Sequence, residues 1–241
     1  MKKITKLSPG TIFNYAKEKF VVLEQMEDGV LCLLAQSNGS VPFHRNGGDC
    51  PNNYIASTLR EDIEGSWLDN LITNGAKKED LVPFDVDLRQ ADGSFGYGML
   101  KGVYAAPLTL WQYGKYKDII PLNEDDWWWL VTPLYVKTPG SPYCCSNYGS
   151  SLALYVFLNG NWLVNGCSYS YGIRPALKLN SCLSVSLDGD DEEEKDGECD
   201  NYHVDLARVD TLTLIREVER RLSEPVTCEA PDECGCEVEQ Q

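Results

Sequence analysis

A long stretch without charge constrains this chain more than any other feature of its sequence. From Ser141 to Gly172 there is no Asp, Glu, Lys, Arg or His, although 24% of the 241 residues are charged. Tyr, Asn, Ser, Gly, Cys and Leu fill the stretch instead. Rigid amphipathic rings beside small adaptable polar groups form the mixture that antibody-like binding surfaces use. The composition therefore predicts a binding surface here rather than a catalytic site.

The same stretch contains the clearest hairpin signal in the chain. Two apolar runs flank Asn159-Gly160, and Asn-Gly supplies the positive φ angles of a type I′ turn. Because strand side chains alternate between two faces, about half of them must be structural. The residues that we expect to face solvent are Tyr155, Phe157, Asn161 and Trp162.

Other segments predict a mixed fold. Two apolar runs around Glu27-Asp28-Gly29 predict a hairpin, so the first forty residues form a small antiparallel sheet. A helix is predicted from Ser57 to Ile72, with Thr58 and Glu61 as a capping box and with apolar residues on one face. The residues of that face are Leu59, Ile63, Trp67 and Leu71.

Downstream of this helix the pattern is less regular. Residues 77–102 are Gly-rich and are interpreted as irregular, and a second helix is predicted to start near Pro107. A buried strand is predicted from Asp126 to Pro133, which places Trp127, Trp128 and Trp129 in the core. A closing strand follows from Gly172 to about Leu179, and Pro175 implies an edge or a bulge there.

Net charge excludes two classes of partner. The formal charge of −16 and the isoelectric point near 4.5 disfavour nucleic acid and anionic membranes. Much of that charge lies between Asp188 and Asp200, which predicts a solvated, flexible linker. A functional acidic segment is the alternative.

The first residues have no apolar stretch typical of a signal peptide, and no run reaches membrane-spanning length. Localisation is left open: synthesis in the cytoplasm is expected, with association with a virion as an alternative.

The cysteines predict reduced thiols rather than a disulfide framework, because no secretory signal accompanies them. Neighbouring Cys144 and Cys145 do not easily form a relaxed disulfide. A thiolate zinc site in the C-terminal segment is a weaker alternative, since it lacks a CxxC pair; its members would be Cys199, Cys228, Cys234 and Cys236. No nucleotide-binding loop, HExxH motif or Ser/His/Asp set is evident. The sequence thus predicts no enzyme activity, no cofactor and no metal.

The order of these elements resembles a family of uncharacterised phage and bacterial domains. The residues that carry the resemblance are Ser57-Thr-Leu-Arg with Trp67-Leu68, then Trp128-Trp-Leu-Val-Thr-Pro133, then Gly172-Ile-Arg-Pro-Ala-Leu177. The family carries the run WWLRSP…GVRPAL and is similar to C-type-lectin-like domains, including formylglycine-generating-enzyme relatives and the variable proteins of diversity-generating retroelements. The resemblance covers residues 5 to 182. Val131 stands where the family usually has Arg, so any role of that Arg is lost here.

The resemblance implies a fold and an organisation. The expected fold class is α+β, a C-type-lectin-like fold with small antiparallel sheets and two helices, in residues 1–186. An acidic flexible linker in residues 187–207, an amphipathic helix in 208–224 and a disordered tail in 225–241 lie outside the match. The residues expected to be structural are Trp128, Trp129, Gly172, Arg174 and Pro175. A buried Arg174 must be paired, and we expect it to brace loop carbonyls or a carboxylate.

In retroelement-diversified relatives the segment between the Trp motif and the Gly-x-Arg motif faces the ligand. Adenine-directed mutation of Asn codons cannot yield Lys, Glu, Gln, Met or Trp, and apart from Trp162 the uncharged stretch contains none of these. The resemblance therefore implies a variable surface that binds a protein or glycan on a target cell. The candidate ligand-binding residues are Tyr143, Cys144, Cys145, Asn147, Tyr148, Tyr155, Phe157, Asn161, Trp162, Asn165, Tyr169 and Tyr171.

Three alternatives stay open at this point. In the first, the binding surface is fixed rather than diversified. In the second, the chain is an oxidoreductase relative of the formylglycine-generating group. In the third, it is a phage structural or assembly protein that docks onto a particle through its C-terminal helix. Calcium dependence is likewise undecided by the sequence.

Overall fold

The computed structural model describes residues 1–122, 127–136 and 149–187. The chain divides into two compact units, Met1–Lys195 and Asp196–Gln241, and every described residue belongs to the first. The predictions for an acidic linker after Leu187, a C-terminal helix and a tail lie outside the described residues.

The described part of the chain is a mixed α+β structure, built mostly of small antiparallel sheets with two helices, as the sequence predicts at that level. The first helix comprises α1 (Thr58–Glu61), a π-helical turn (Asp62–Trp67) and α2 (Leu68–Thr73), and the second is α3 (Leu110–Tyr116). The strands are β1 (Lys2–Lys3), β2 (Ile12–Tyr15), β3 (Glu18–Met26), β4 (Gly29–Leu34), β5 (Asn38–Pro42), β6 (Leu81–Val82), β7 (Phe84–Asp87), β8 (Met99–Val103), β9 (Ala105–Ala106), β10 (Trp128–Pro133), β11 (Leu152–Val156), β12 (Trp162–Gly166), β13 (Ser170–Ile173), β14 (Ala176–Leu179) and β15 (Ser184–Val185). Single turns of 3₁₀ helix lie at Ile4–Lys6, Tyr54–Ala56, Lys78–Asp80 and Gly149–Ser151.

Two sheets hold most of these strands. One sheet has the order β2-β3-β4-β14-β6, with β9 also paired to β14. The predicted N-terminal hairpin is therefore confirmed as β3 and β4, turning at Met26 and Gly29. The other sheet has the order β12-β11-β10-β13-β5, and all its pairs are antiparallel except β10 with β13. Two small two-stranded sheets, β1 with β15 and β7 with β8, complete the set.

The prediction of one closing strand from Gly172 to about Leu179 is wrong, because two strands, β13 and β14, lie there. The chain leaves the β12-containing sheet at the end of β13 and enters the β4-containing sheet at the start of β14, with Arg174 and Pro175 between them. Proline cannot donate to a sheet ladder, and here it stands at the step from one sheet to the next. Its carbonyl still accepts a hydrogen bond from the Leu34 N–H at 3.0 Å. The two sheets are thus joined through this short link.

The first helix follows its predicted extent but not its predicted cap. Ser57, not Thr58, is the N-cap, because the Ser57 side chain accepts a hydrogen bond from the Arg60 N–H. The capping box of Thr58 and Glu61 is therefore wrong. The predicted apolar face is buried as expected: its four residues are at most 5% exposed.

The second helix begins three residues later than the sequence predicts. Thr109 is its N-cap and forms a capping box with Gln112, in which each side chain bonds to the backbone of the other residue. The Leu110 N–H donates to the Thr132 hydroxyl at 2.8 Å, which fastens the helix start to β10. Pro107 precedes the helix rather than opening it. The interpretation of residues 77–102 as irregular is also wrong in part, since β6, β7 and most of β8 lie there.

The five-stranded sheet containing β12 has a core on each face. One face packs with the first helix and the inner side of the hairpin β3–β4 through Trp129, Tyr155 and Tyr171. The opposite face packs with α3 and the other side of that hairpin through Trp128 and Leu154. Burial on both faces fixes the register of β10 and β11, because a slip of one residue would exchange the two sets of side chains. Among the described residues, no helix is long and apolar enough to cross a bilayer.

Candidate functional site

The predicted hairpin exists, and its turn is different from the one predicted. β11 and β12 pair in unbroken antiparallel register from Leu152 opposite Gly166 to Val156 opposite Trp162. Gly160 has a φ of +75°, whereas Asn159 has no positive φ, so a type I′ turn is excluded. The Gly160 N–H donates to the Phe157 carbonyl at 2.9 Å. This is the pattern of a three-residue loop that closes with glycine in the left-handed region.

A cluster of aromatic rings covers one face of the sheet around this hairpin. Tyr155 stacks on Tyr171 with 4.3 Å between ring centroids, and Trp129 meets Tyr171 edge-on at 4.7 Å. Trp127 lies against Phe157 at 5.1 Å and against Tyr171 at 5.7 Å. Edge-on and offset contacts of this kind stabilise aromatic pairs beyond their burial. The rings therefore form an interlocked layer on this face of the sheet, which we call the aromatic face.

The predicted exposure of Tyr155 is wrong. Tyr155 and Tyr171 are each only 7% exposed, because both rings pack into the larger core cluster. Burial and the neighbouring Tyr171 phenol raise the pKa of Tyr155, which keeps its hydroxyl neutral. These two candidate ligand-binding residues are therefore buried rather than exposed to a ligand. We call Tyr155, Tyr171 and Trp129, the interlocked rings beneath the hairpin, the frame.

The remaining described candidates do reach solvent. Tyr169 is 59% exposed and Trp162 is 47% exposed, Asn161 is exposed, and Phe157 and Asn165 are half-buried. The structure adds two neighbours that are not among the candidate ligand-binding residues, Leu163 and Trp127, both partly exposed. We call these seven residues the hairpin surface: Trp127, Phe157, Asn161, Trp162, Leu163, Asn165 and Tyr169.

Cross-strand pairing assigns the hairpin surface to two faces. Leu163 lies opposite Tyr155 and so shares the aromatic face, whereas Trp162 lies opposite Val156 and projects from the other face. Asn165 is held on the aromatic face, where its side-chain amide donates to the Tyr171 hydroxyl at 2.5 Å. The hairpin surface therefore wraps around the edge of the sheet at β12.

The three consecutive tryptophans have different environments. Trp128 and Trp129 are buried, as predicted, but Trp127 is 38% exposed, so its assignment to the core is wrong. Trp127 precedes β10, and its carbonyl accepts a hydrogen bond from the Gly172 N–H at 2.7 Å. An exposed tryptophan ring whose backbone is fixed in this way presents a large apolar contact area at low entropic cost.

Arg174 has the bracing role that the sequence predicts. Its side chain is buried and donates to the carbonyls of Leu34 at 2.7 Å, Ala35 at 2.5 Å and Pro121 at 3.1 Å. The guanidinium also lies 5.2 Å from the centre of the Trp128 ring, which is the geometry of a cation–π contact. Backbone carbonyls, one of the two kinds of partner that the sequence left open, therefore do bind Arg174.

Asn52 links the segment that ends at residue 136 to the start of β11. Its side-chain amide donates to the Tyr135 carbonyl at 2.8 Å and to the Leu152 carbonyl at 3.1 Å. Its own carbonyl oxygen accepts from the Tyr97 hydroxyl at 2.7 Å. A fully buried amide with these partners is costly to replace. No sequence pattern singles out Asn52, because its partners come from distant parts of the chain.

The Cys167 thiol, which follows β12, is poorly suited to nucleophilic chemistry. Burial raises the pKa of the Cys167 thiol to about 12, so it stays protonated at neutral pH and is a weak nucleophile. Within the described ranges the cysteines Cys32, Cys50 and Cys167 are free, and no three His, Cys, Asp or Glu side chains come together to hold a metal ion. The candidates Cys144 and Cys145, and the zinc alternative in the C-terminal segment, lie outside these ranges.

The structure thus brings together five of the predicted ligand-binding residues at the solvent-facing edge and places two in the core. Five further candidates lie outside the described residues: Tyr143, Cys144, Cys145, Asn147 and Tyr148. Leu163 and Trp127 were missed because nothing in the local sequence shows that β12 is an edge strand or that Trp127 lies before the strand begins. No family model, curated protein or solved structure matches the chain.

Proposed function

We propose that this protein binds a ligand on a target cell, a protein or a glycan, through the hairpin surface. One observation supports this most: uncharged aromatic and amide side chains remain exposed at the edge of an otherwise well-packed sheet. Trp162 and Tyr169 are the most exposed aromatic residues of the hairpin surface, at 47% and 59%. Trp and Tyr dominate the energetics of recognition sites, because each brings a large apolar area with few rotatable bonds.

The frame under this surface meets the requirement of a binding site that tolerates substitution. Tyr155, Tyr171 and Trp129 interlock beneath the hairpin, and Arg174 ties the adjoining loops. Because the core bears the cost of ordering the backbone, exposed side chains can change without unfolding the site. The ligand specificity would then be set by exposed residues alone.

The family part of the proposal is a C-type-lectin-like domain of phage or prophage origin whose surface is diversified by a retroelement. The mixed α+β architecture of small antiparallel sheets is compatible with it. So is the direct pairing of the two motifs, since Trp128 on β10 lies beside Gly172 on β13. The test lies in the encoding DNA. A near-copy of the segment for Ser141 to Gly172, differing mainly at adenines and beside a reverse transcriptase gene, is expected; its absence contradicts diversification and leaves a fixed surface.

The binding proposal is tested with labelled protein on panels of intact bacterial cells and on a glycan array. The double variant Trp162→Ala with Tyr169→Ala is expected to lose at least about tenfold in apparent affinity, because hot-spot aromatics typically cost about 2 kcal/mol or more when truncated. The matched control is Trp111→Ala, which removes a tryptophan with the same 47% exposure on α3. Equal binding by the double variant and the control contradicts the proposed site.

A further inference from the structure

Strand β12 forms one edge of its sheet. It pairs with β11 at five consecutive positions and, within the described residues, with no strand on its other side. An edge strand exposes a row of unpaired backbone donors and acceptors, which makes it a template for another strand. Whether β12 can serve as such a template depends on its register, its side chains and its charge.

The hydrogen-bond register identifies the backbone groups that point outward. The Phe157 N–H donates to the Asn161 carbonyl at 2.7 Å, and the Cys167 N–H donates to the Ser151 carbonyl at 2.8 Å. In an antiparallel pair, hydrogen-bonded and non-hydrogen-bonded positions alternate. Between those two bonds, the backbones of Leu163 and Asn165 therefore face β11.

The same alternation turns the N–H and C=O groups of Trp162 and Val164 away from β11. These two residues form the non-hydrogen-bonded pairs with Val156 and Leu154. Trp162 and Val164 therefore present two outward donors and two outward acceptors in regular strand geometry.

In the described part of the chain, the edge at β12 lacks the features with which proteins usually block strand addition. Proline, bulges and charged side chains, above all lysine, normally protect an exposed edge. Residues 159–170 contain none of the charged types and no proline, and the pairing with β11 has no register shift. The side chains of Trp162, Leu163 and Val164 are 47%, 44% and 39% exposed, so apolar surface extends on both faces of the strand.

The opposite edge of the same sheet provides an internal comparison. Strand β5 ends in Pro42, its pairing with β13 shifts register between Gly172 and Ile173, and Gly39 has a φ of +67°. These are protective features of an edge strand. Among the described residues of this sheet, the edge at β5 thus has protective features that the edge at β12 lacks.

We propose that β12 pairs with β12 of a second copy of this chain, edge to edge and antiparallel. A two-fold axis at Leu163 places Trp162 opposite Val164 of the second copy, and each of these two pairs exchanges an N–H···O=C bond in both directions. The outward groups are self-complementary in this register, which is what a two-fold interface requires.

The charge of residues 1–187 does not oppose this association. Residues 1–187 contain 16 Lys and Arg against 18 Asp and Glu, so most of the net charge of −16 belongs to the remainder of the chain. Two nearly neutral domains with an uncharged edge bring no strong repulsion to the contact. Two five-residue strands bury less surface than a standard interface of about 1,600 Å². The dimer is accordingly weak and forms at high concentration.

This dimer is independent of the proposed ligand, and it has a consequence for ligand binding. In a continuous sheet the side chains stay on the two faces, so Leu163 and Asn165 of both copies would lie side by side on the aromatic face. Two adjacent hairpin surfaces would bind a repetitive cell surface with greater avidity than one.

The test is sedimentation velocity on the full chain from about 1 to 500 μM, a range that spans weak association, in the presence of a thiol reductant. The expected result is a reversible monomer–dimer equilibrium. Val164→Lys places a charge on the edge, and Val164→Pro removes one outward N–H without touching the pairing with β11. Each is expected to weaken dimerisation at least about tenfold. Ile72→Lys, a charge on a helix residue that is 41% exposed, is the control and should dimerise like the parent chain.

Amide hydrogen exchange identifies the contact itself. The N–H groups of Trp162 and Val164 should gain protection as concentration rises, while the Leu163 N–H is protected throughout because it bonds within the hairpin. A chain that stays monomeric to the top of the range overturns the proposal. So does a dimer that Val164→Lys and Ile72→Lys affect equally. Circular dichroism of each variant verifies that a lost dimer is not a lost fold.

Discussion

Tyr155 and Tyr171 stack on each other beneath the hairpin, with 4.3 Å between ring centroids and 20° between ring planes. Both come from the uncharged stretch, and both were candidates for contacting a ligand. Their burial shows that the stretch supplies two kinds of residue, those that build the frame and those that face solvent. Substitutions in the two groups should therefore have different effects.

Replacing Tyr155 by Ala should destabilise the fold by about 3 kcal/mol, because a buried ring is removed from an aromatic cluster and leaves a cavity. Tyr169→Ala, which truncates a ring that is 59% exposed, should change stability by no more than about 0.5 kcal/mol. Urea denaturation of both variants measures the difference. A loss below about 1 kcal/mol for Tyr155→Ala would mean that the ring contributes little to the frame.

Replacing Arg174 by Met should cost about 3 kcal/mol or more, because the carbonyls of Leu34, Ala35 and Pro121 lose a charged donor in a buried site. Arg174→Lys should recover only part of this, since one ammonium group cannot reproduce the planar fork of the guanidinium. The control is Arg89→Met, which removes an exposed cation paired with Asp87 and should lower stability far less than Arg174→Met. Equal losses at the two sites, measured by chemical denaturation, would refute the bracing role.

Gly172→Ala should destabilise the protein by about 1–3 kcal/mol through steric overlap. A Cβ at this position would lie 2.5 Å from the Cβ of Ser37 and 3.0 Å from the Trp127 carbonyl oxygen. Adding Ser37→Gly should restore part of the loss, because it removes the closer of these two neighbours. A double-mutant cycle in urea measures this coupling. Strictly additive effects would show that the overlap with Ser37 is not what excludes a side chain.

Stability should depend on pH in part through Glu24. Hydrogen bonds from Lys115 and Tyr116 hold the pKa of the Glu24 carboxyl below its ordinary value of 4.5. A lowered folded-state pKa means that the stabilisation is fully present above the unfolded pKa and is lost as the pH falls through the folded one.

The partners of Glu24 are partly exposed, so its contribution is at most about 1 kcal/mol. The parent chain should exceed Glu24→Gln in stability by this amount at neutral pH, and the two should converge in acid, once the pH is below the folded-state pKa of Glu24. Denaturation curves at both pH values provide the measurement. A constant difference between parent and variant across that range would contradict the assignment.

Local patterns in the sequence determined the elements that depend on neighbouring residues. The apolar face of the first helix, the hairpin β3–β4 and the hairpin β11–β12 were all predictable, because periodicity and turn residues act within a few positions. The burial of Trp128 and Trp129 and the bracing role of Arg174 were also predictable, since a cation in an apolar strand requires partners. The identity of those partners was not.

Tertiary contacts decided which side chains of the hairpin face solvent. β11 is covered on both faces and β12 is an edge strand, and this position in the sheet depends on β10 and β13, which come from other parts of the chain. Alternation alone therefore misassigned Tyr155 and did not reveal Leu163. The same holds for Asn52, whose amide bonds to carbonyls 83 and 100 residues away. The sequence by itself determined that an uncharged hairpin would form. Only the packing of distant strands decided which of its faces is the core and placed β12 at the end of the described strand order.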